Sequence, residues 1–120
     1  MALYATVRPG GGVSDIPGLA GAGAACFKVS TYHTDPERFP RTPDNEMLEV
    51  FRAVAATGRR VCLHAENDEI VKALVTALRA EGERDPRLHC ASRPPVTETA
   101  AVARALELSR GTGAKLHFAT

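Results

Sequence analysis

Apolar residues gather in four short runs, at Leu3–Val7, Ala25–Ser30, Arg60–His64 and Lys115–Ala119. In the second and third they stand side by side rather than in alternation, as in Cys26-Phe27 and Val61-Cys62-Leu63. A strand covered on both faces, the usual state in a parallel sheet, reads this way. Between the runs the apolar period lengthens to that of a helix. Met47, Leu48, Phe51, Val54 and Ala55 recur at helical spacing, with Asp44 as N-cap after Pro43 and Gly58 as the stop. Ile70, Val71, Leu74, Val75 and Leu78 mark a second helix, opened by Asn67 or Asp68 and closed at Gly82. A third begins near Pro95, whose missing N–H costs little in a first turn. It carries Ala101, Val102, Ala105, Leu106 and Leu108 and stops at Gly111 and Gly113. A shorter helix is expected over Val13 to Ala22, against the local preferences of Pro17 and Gly18.

Strand alternating with helix implies right-handed βαβ crossovers and an α/β fold with a parallel sheet. Two architectures meet that description: an open doubly wound sheet, and part of a (β/α)8 TIM barrel. A doubly wound nucleotide binder carries a glycine-rich turn between its first strand and helix. Gly10-Gly11-Gly12 occupies that place but lacks G-x-G-x-x-G and the Gly-Lys-Ser/Thr ending of a P-loop, so it reads as a loop. A whole barrel takes about 250 residues and eight strands. On the barrel reading residues 1–120, with about four strands, make a fragment amounting to about half of one barrel domain.

Composition removes several functions. Hydrophobic residues are 44% and charged residues 24%, the balance of a globular protein. A net charge of +1, from 15 basic and 14 acidic side chains, provides no electrostatic attraction for nucleic acid or an anionic membrane. No apolar run approaches the roughly 18 residues of a membrane span, and the N-terminus has no signal-peptide pattern. The three cysteines, Cys26, Cys62 and Cys90, have no CxxC spacing and are odd in number, which argues against a disulfide framework. Cys26 and Cys62 lie in apolar runs, where a free thiol packs as a small hydrophobe. A reducing cytoplasm is the expected compartment.

In parallel α/β proteins functional side chains collect at the C-terminal ends of strands. Lys28 lies within Cys26-Phe27-Lys28-Val29-Ser30, and His64 ends Val61-Cys62-Leu63-His64. Each has a structural reading: an edge lysine reaching water past its apolar stem, and a hydrogen-bonded strand-end histidine. Their separation of 36 residues matches a βα repeat of roughly 30 or more residues, which sets them at the same end of neighbouring strands. Neutral imidazole is a common metal ligand. An ammonium is not, so the pair makes chemical sense only if the lysine is altered or acts as a base.

Gly23-Ala24-Ala25-Cys26-Phe27-Lys28-Val29 is similar to the G-x-x-x-F-K segment of the cyclic amidohydrolases, the dihydroorotase, hydantoinase and allantoinase group. Leu63-His64-Ala65-Glu66-Asn67 resembles their H-A-E-N segment, and Ser92-Arg93-Pro94-Pro95 with Glu98 their S-R-P-x-x-x-E element. Gly113 to Ala119 resembles the next barrel strand. The matches run in family order over nearly the whole chain, and the combination is specific where each alone is weak. The resemblance implies two zinc ions bridged by a carboxylated lysine, with Lys28 as that bridge and His64 as a ligand to one metal. It implies hydrolysis of a cyclic amide such as a ureide, hydantoin, dihydropyrimidine or dihydroorotate, by a cytoplasmic enzyme that is commonly a homo-oligomer. In hydantoinase-like members a tyrosine beyond the lysine contacts the oxyanion. Tyr32 is near that place, one residue short, and packing on Pro40 or Phe39 is its structural alternative. Glu66 and Asn67 are expected to start the next helix, and Arg93 and Glu98 to form a buried ion pair or a cap.

Departures from the family pattern are equally definite. No H-x-H precedes Lys28, the next strand's histidine would fall at Thr120, and the last strand's aspartate has no counterpart. His117 is read as a packing or loop contact, and His33 and His89 as loop residues without partners. Two ligands are fewer than the three or more a zinc site takes, so the expectation is an internal fragment of a longer protein, inactive alone. An alternative function is a non-catalytic scaffold with an amidohydrolase-like barrel; a third is an unrelated open α/β binding module. Arg38 and Arg41, in the charged loop after the lysine strand, are placed to meet a substrate carboxylate or to remain solvated.

Overall fold

The computed structural model describes residues 3–33, 37, 40–82 and 85–119. Four parallel strands form one sheet in the order β1 (Leu3–Thr6), β2 (Ala24–Ser30), β3 (Arg60–His64) and β4 (Lys115–Phe118). The helices are α1 (Ile16–Gly21), α2 (Asp44–Thr57), α3 (Asp68–Ala80), α4 (Leu88–Ala91) and α5 (Pro95–Thr112), with a 3₁₀ turn over Gly12–Asp15. Spatial order equals chain order, so every crossover steps to the next strand in the same sense. Right-handed crossovers of that kind put all helices on one face, the pattern of a barrel arc; a doubly wound sheet reverses its order midway.

The core lies on the helix-covered face. Phe27 and Val29 of β2 and Val61 and Leu63 of β3 pack against Met47, Val50, Phe51 and Val54 of α2. All eight are at most 2% exposed, and burial of such side chains contributes on the order of 2 kcal/mol each. Alternation along β2 and β3 therefore sends Cys26, Lys28, Cys62 and His64 to the opposite face. The radius of gyration is 15.5 Å, above the about 14 Å of a closed domain of this length, as an arc requires.

Local signals explain the ends. Gly58 (φ 71°) and Gly113 (φ 77°) hold the left-handed caps that end α2 and α5. Pro17 sits in the first turn of α1, where its missing N–H is harmless, and Ile16 beside it is fully buried. Asn67 caps α3, its side chain accepting from the Ile70 N–H at 3.0 Å. Asp44 is corrected: Pro43 holds the cap position, and Asp44 is the first helical residue, 3.4 Å from Arg104. Its charge still favours the helix start through the dipole. Strand limits shift by one residue. Val7 lies past β1 yet donates to the Lys28 carbonyl (3.2 Å), and Ala119 lies past β4 yet donates to Leu63 (2.9 Å). The glycine run at 10–12 is a loop, with the Gly10 N–H held by the Glu46 carboxylate at 2.9 Å, so a side-chain anion already occupies that donor. The one-turn helix α4 was not foreseen from periodicity.

Candidate active site at the strand C-termini

β2 and β3 pair with Lys28 opposite Cys62 and Ser30 opposite His64. Lys28 and His64 are therefore diagonal neighbours on the face away from the helices, at the C-terminal ends of adjacent strands. The expected juxtaposition is present. Just toward the strand starts, Cys26 and Cys62 face each other with Sγ atoms 3.0 Å apart, both free and buried. Burial first, then the Cys62 thiol, push the Cys26 thiol up to about 12, so it is neutral at ordinary pH. It packs as a small hydrophobe, as its apolar setting indicated.

The turns beyond the strands are tied together by a residue the sequence reading passed over. Thr31 Oγ1 donates to the Glu66 carbonyl (2.7 Å) and accepts from the Glu66 N–H (2.9 Å), while the Thr31 N–H donates to the His64 carbonyl (3.0 Å). A hydroxyl directly after a strand was the available signal, but its partner lies 35 residues away. The Ser30 hydroxyl donates to the Tyr32 carbonyl (2.6 Å) and accepts from the Tyr32 N–H (3.1 Å), closing a tight turn.

That turn delivers Tyr32 to the site. Its ring centroid is 6.5 Å from that of His64, and the Arg93 guanidinium carbon lies 5.5 Å from its centre. The Tyr32 hydroxyl accepts from Arg93 Nη2 at 3.4 Å. Of the structural alternatives for Tyr32, Phe39 lies outside the described residues. Arg93 is corrected: its carboxylate partner is Glu66 (3.4 Å), while Glu98 is exposed on α5. Glu66 Oε1 also lies 3.7 Å from His64 Nε2. Glu66 thus does more than lead into a helix.

Below this cluster Asp68, buried, anchors the chain after β2. It accepts from the His33 N–H (2.9 Å) and pairs with Lys72 (2.7 Å) and Arg41 (3.6 Å). His33, expected to have no partner, is held there by its backbone. Arg41 spends its charge on Asp68; Arg38 lies outside the described residues. His89 is also corrected: it is exposed on α4, not in a loop, and its carbonyl accepts from Ser92 Oγ at 2.9 Å. His117 is exposed and sits opposite Cys62 in register, on the same face as Lys28. Position 120 lies outside the described residues.

As a metal site the geometry is partial. Lys28 shares its face with two imidazoles, His64 and, from β4, His117, and among the described residues no group of three histidine, cysteine or carboxylate side chains could hold an ion. Lys28 and His64 are compatible with a metal only if the lysine nitrogen becomes part of an anionic donor. Among the described residues no helix is long and apolar enough to cross a membrane.

No protein-family profile matches the chain. It is 34% identical over 117 residues to an allantoinase of Bacillus velezensis, covering 98% of this chain and 26% of that protein. It is 36% identical over 115 residues to an L-hydantoinase of Paenarthrobacter aurescens, covering 96% and 25%. Among solved structures, the L-hydantoinase (dihydropyrimidinase) of Arthrobacter aurescens superposes with a TM-score of 0.92 at 35% identity, over 98% of this chain and 26% of that one. The chain spans about a quarter of the length of the relatives it matches. Their four-stranded counterpart is part of a (β/α)8 barrel, and so is this sheet.

Proposed function

Over nearly its whole length the chain belongs to the allantoinase and hydantoinase group of cyclic amide hydrolases, and from that premise we propose that the protein carrying it hydrolyses a cyclic amide with the help of bound zinc. The observation that carries the reading is the placement of Lys28 and His64 on one face at the strand C-termini. The Lys28 ammonium, once it has lost a proton, would add carbon dioxide and release a second proton to give a carbamate, an anionic group able to hold zinc. His64 supplies a neutral nitrogen donor, and the rest of the ligand set comes from elsewhere in the protein. Bound zinc would supply there a water of lowered pKa and polarise the scissile carbonyl. Tyr32, at the rim of the same mouth, donates its hydroxyl to the carbonyl oxygen as negative charge develops there. Cys26 and Cys62 back the site with two buried thiols.

The test is zinc content of the full-length protein, measured with its turnover of hydantoin and allantoin. About two zinc per subunit is expected, lost along with activity in Lys28→Ala. Absence of zinc together with absence of turnover in the intact protein would sink the reading and favour a scaffold.

A further inference from the structure

One guanidinium ties together three segments that are far apart in sequence. Arg93 Nε lies 3.4 Å from Glu66 Oε2, after β3. Its Nη2 donates to the Tyr32 hydroxyl, after β2, at 3.4 Å, and its carbon sits 5.5 Å from that ring's centre. Its Nη1 donates to Ser92 Oγ at 2.9 Å, with the His89 carbonyl at 3.4 Å. Ser92 is 2% exposed, and Pro94 and Pro95 fix the backbone on the other side at the start of α5. The arginine is thus held from behind while it reaches forward. Its side chain is 19% exposed and that of Glu66 15%, so the pair is shielded from water much more than an ordinary surface ion pair. Three nitrogens shared among four partners require the planar fork of arginine; the ammonium of lysine is a point charge on a flexible stem.

We propose that Arg93 is a positioning residue of this site: it holds the Tyr32 hydroxyl and the Glu66 carboxylate in place, and through Glu66 it steadies the His64 ring. The proposal rests on the reading of Tyr32 and His64 as members of an active site. It gives the Ser-Arg-Pro segment a role at this site, through the contacts of Arg93 with Tyr32 and Glu66.

A double-mutant cycle tests it in the full-length protein. Arg93→Lys is expected to lower kcat for a cyclic amide about tenfold, with KM changed less than about threefold, and in a Tyr32→Phe background to lower it less than about threefold. Equal losses in both backgrounds, or no loss in either, would overturn the proposal. A second readout needs no turnover. The ring carbon resonance of Tyr32, assigned by its absence from Tyr32→Phe, is expected to shift in Arg93→Lys and also in Glu66→Gln. An unshifted signal in folded variants overturns the proposal even if the protein proves not to hydrolyse cyclic amides. A shifted signal without turnover upholds the positioning and removes only the catalytic reading. If Arg93→Lys does not fold, Glu66→Gln, which leaves the guanidinium intact, carries both measurements.

Discussion

Replacing Asp68 with alanine releases the segment after β2 from the start of α3. The carboxylate is 4% exposed and accepts a charge-assisted bond from the His33 N–H at 2.9 Å. A hydrogen bond of that kind is worth about 1.5–3 kcal/mol. The Lys72 contact is short, 2.7 Å, but that lysine is 56% exposed, so its share is on the order of 0.5 kcal/mol after solvent screening. Arg41, at 3.6 Å and 34% exposed, adds less. Asp68→Ala is therefore expected to raise local opening at His33 by about 2 kcal/mol, or about 30-fold in the exchange rate of its amide. Asp68→Asn keeps an acceptor for that amide and loses only the charge, giving about fivefold. Amide hydrogen exchange reads both. A change below about threefold in Asp68→Ala, or an asparagine variant as fast as the alanine one, would refute the argument.

The same residue sets a pH dependence. Burial pushes the Asp68 carboxyl up, but hydrogen bonds from Lys72 and the His33 N–H, with the charges of Lys72 and Arg41, outweigh it and hold the group below its ordinary 3.8. A folded value below the unfolded one means the stabilisation is complete above about pH 4 and is lost as pH falls through the folded value. The exchange difference between the protein and Asp68→Asn should shrink over that acidic range and stay flat from about pH 5 to 8.

Two further outcomes follow from packing. Phe51 is fully buried between α2 and the sheet, so Phe51→Ala should cost about 3–5 kcal/mol in urea unfolding, and a loss under about 1.5 kcal/mol would contradict its place at the centre of the core. Thr42 Oγ1 is buried without a hydrogen-bond partner among the described residues. Thr42→Val should then be neutral or stabilising by up to about 1 kcal/mol in the same assay, whereas clear destabilisation would reveal a partner for the hydroxyl.

Much of the site was legible in the chain because a parallel strand repeats its signal locally. The apolar pairs around Lys28 and His64 set both residues on strands, and a 36-residue step fits one βα unit. Asn67 as cap and Gly58 and Gly113 as helix stops were readable for the same reason: capping is settled within a few residues. Asp44 was misassigned as a cap because Pro43, with its φ near −64°, takes the cap position equally well and leaves the acid one residue further in.

Alternation, glycine stops and motif order by themselves determined the α/β class, the four strands and the two residues set side by side at their ends. Only the tertiary structure decided how those ends are bound to one another. Thr31 meeting Glu66, Asp68 holding His33, and Arg93 choosing Glu66 over Glu98 all join residues 27 to 35 positions apart or select among several carboxylates of equal chemistry. A pattern along the chain records which side chains are polar. Which polar side chain meets which is set by strand register and by where each crossover returns, and those are fixed when Phe27, Val29, Val61 and Leu63 pack against α2.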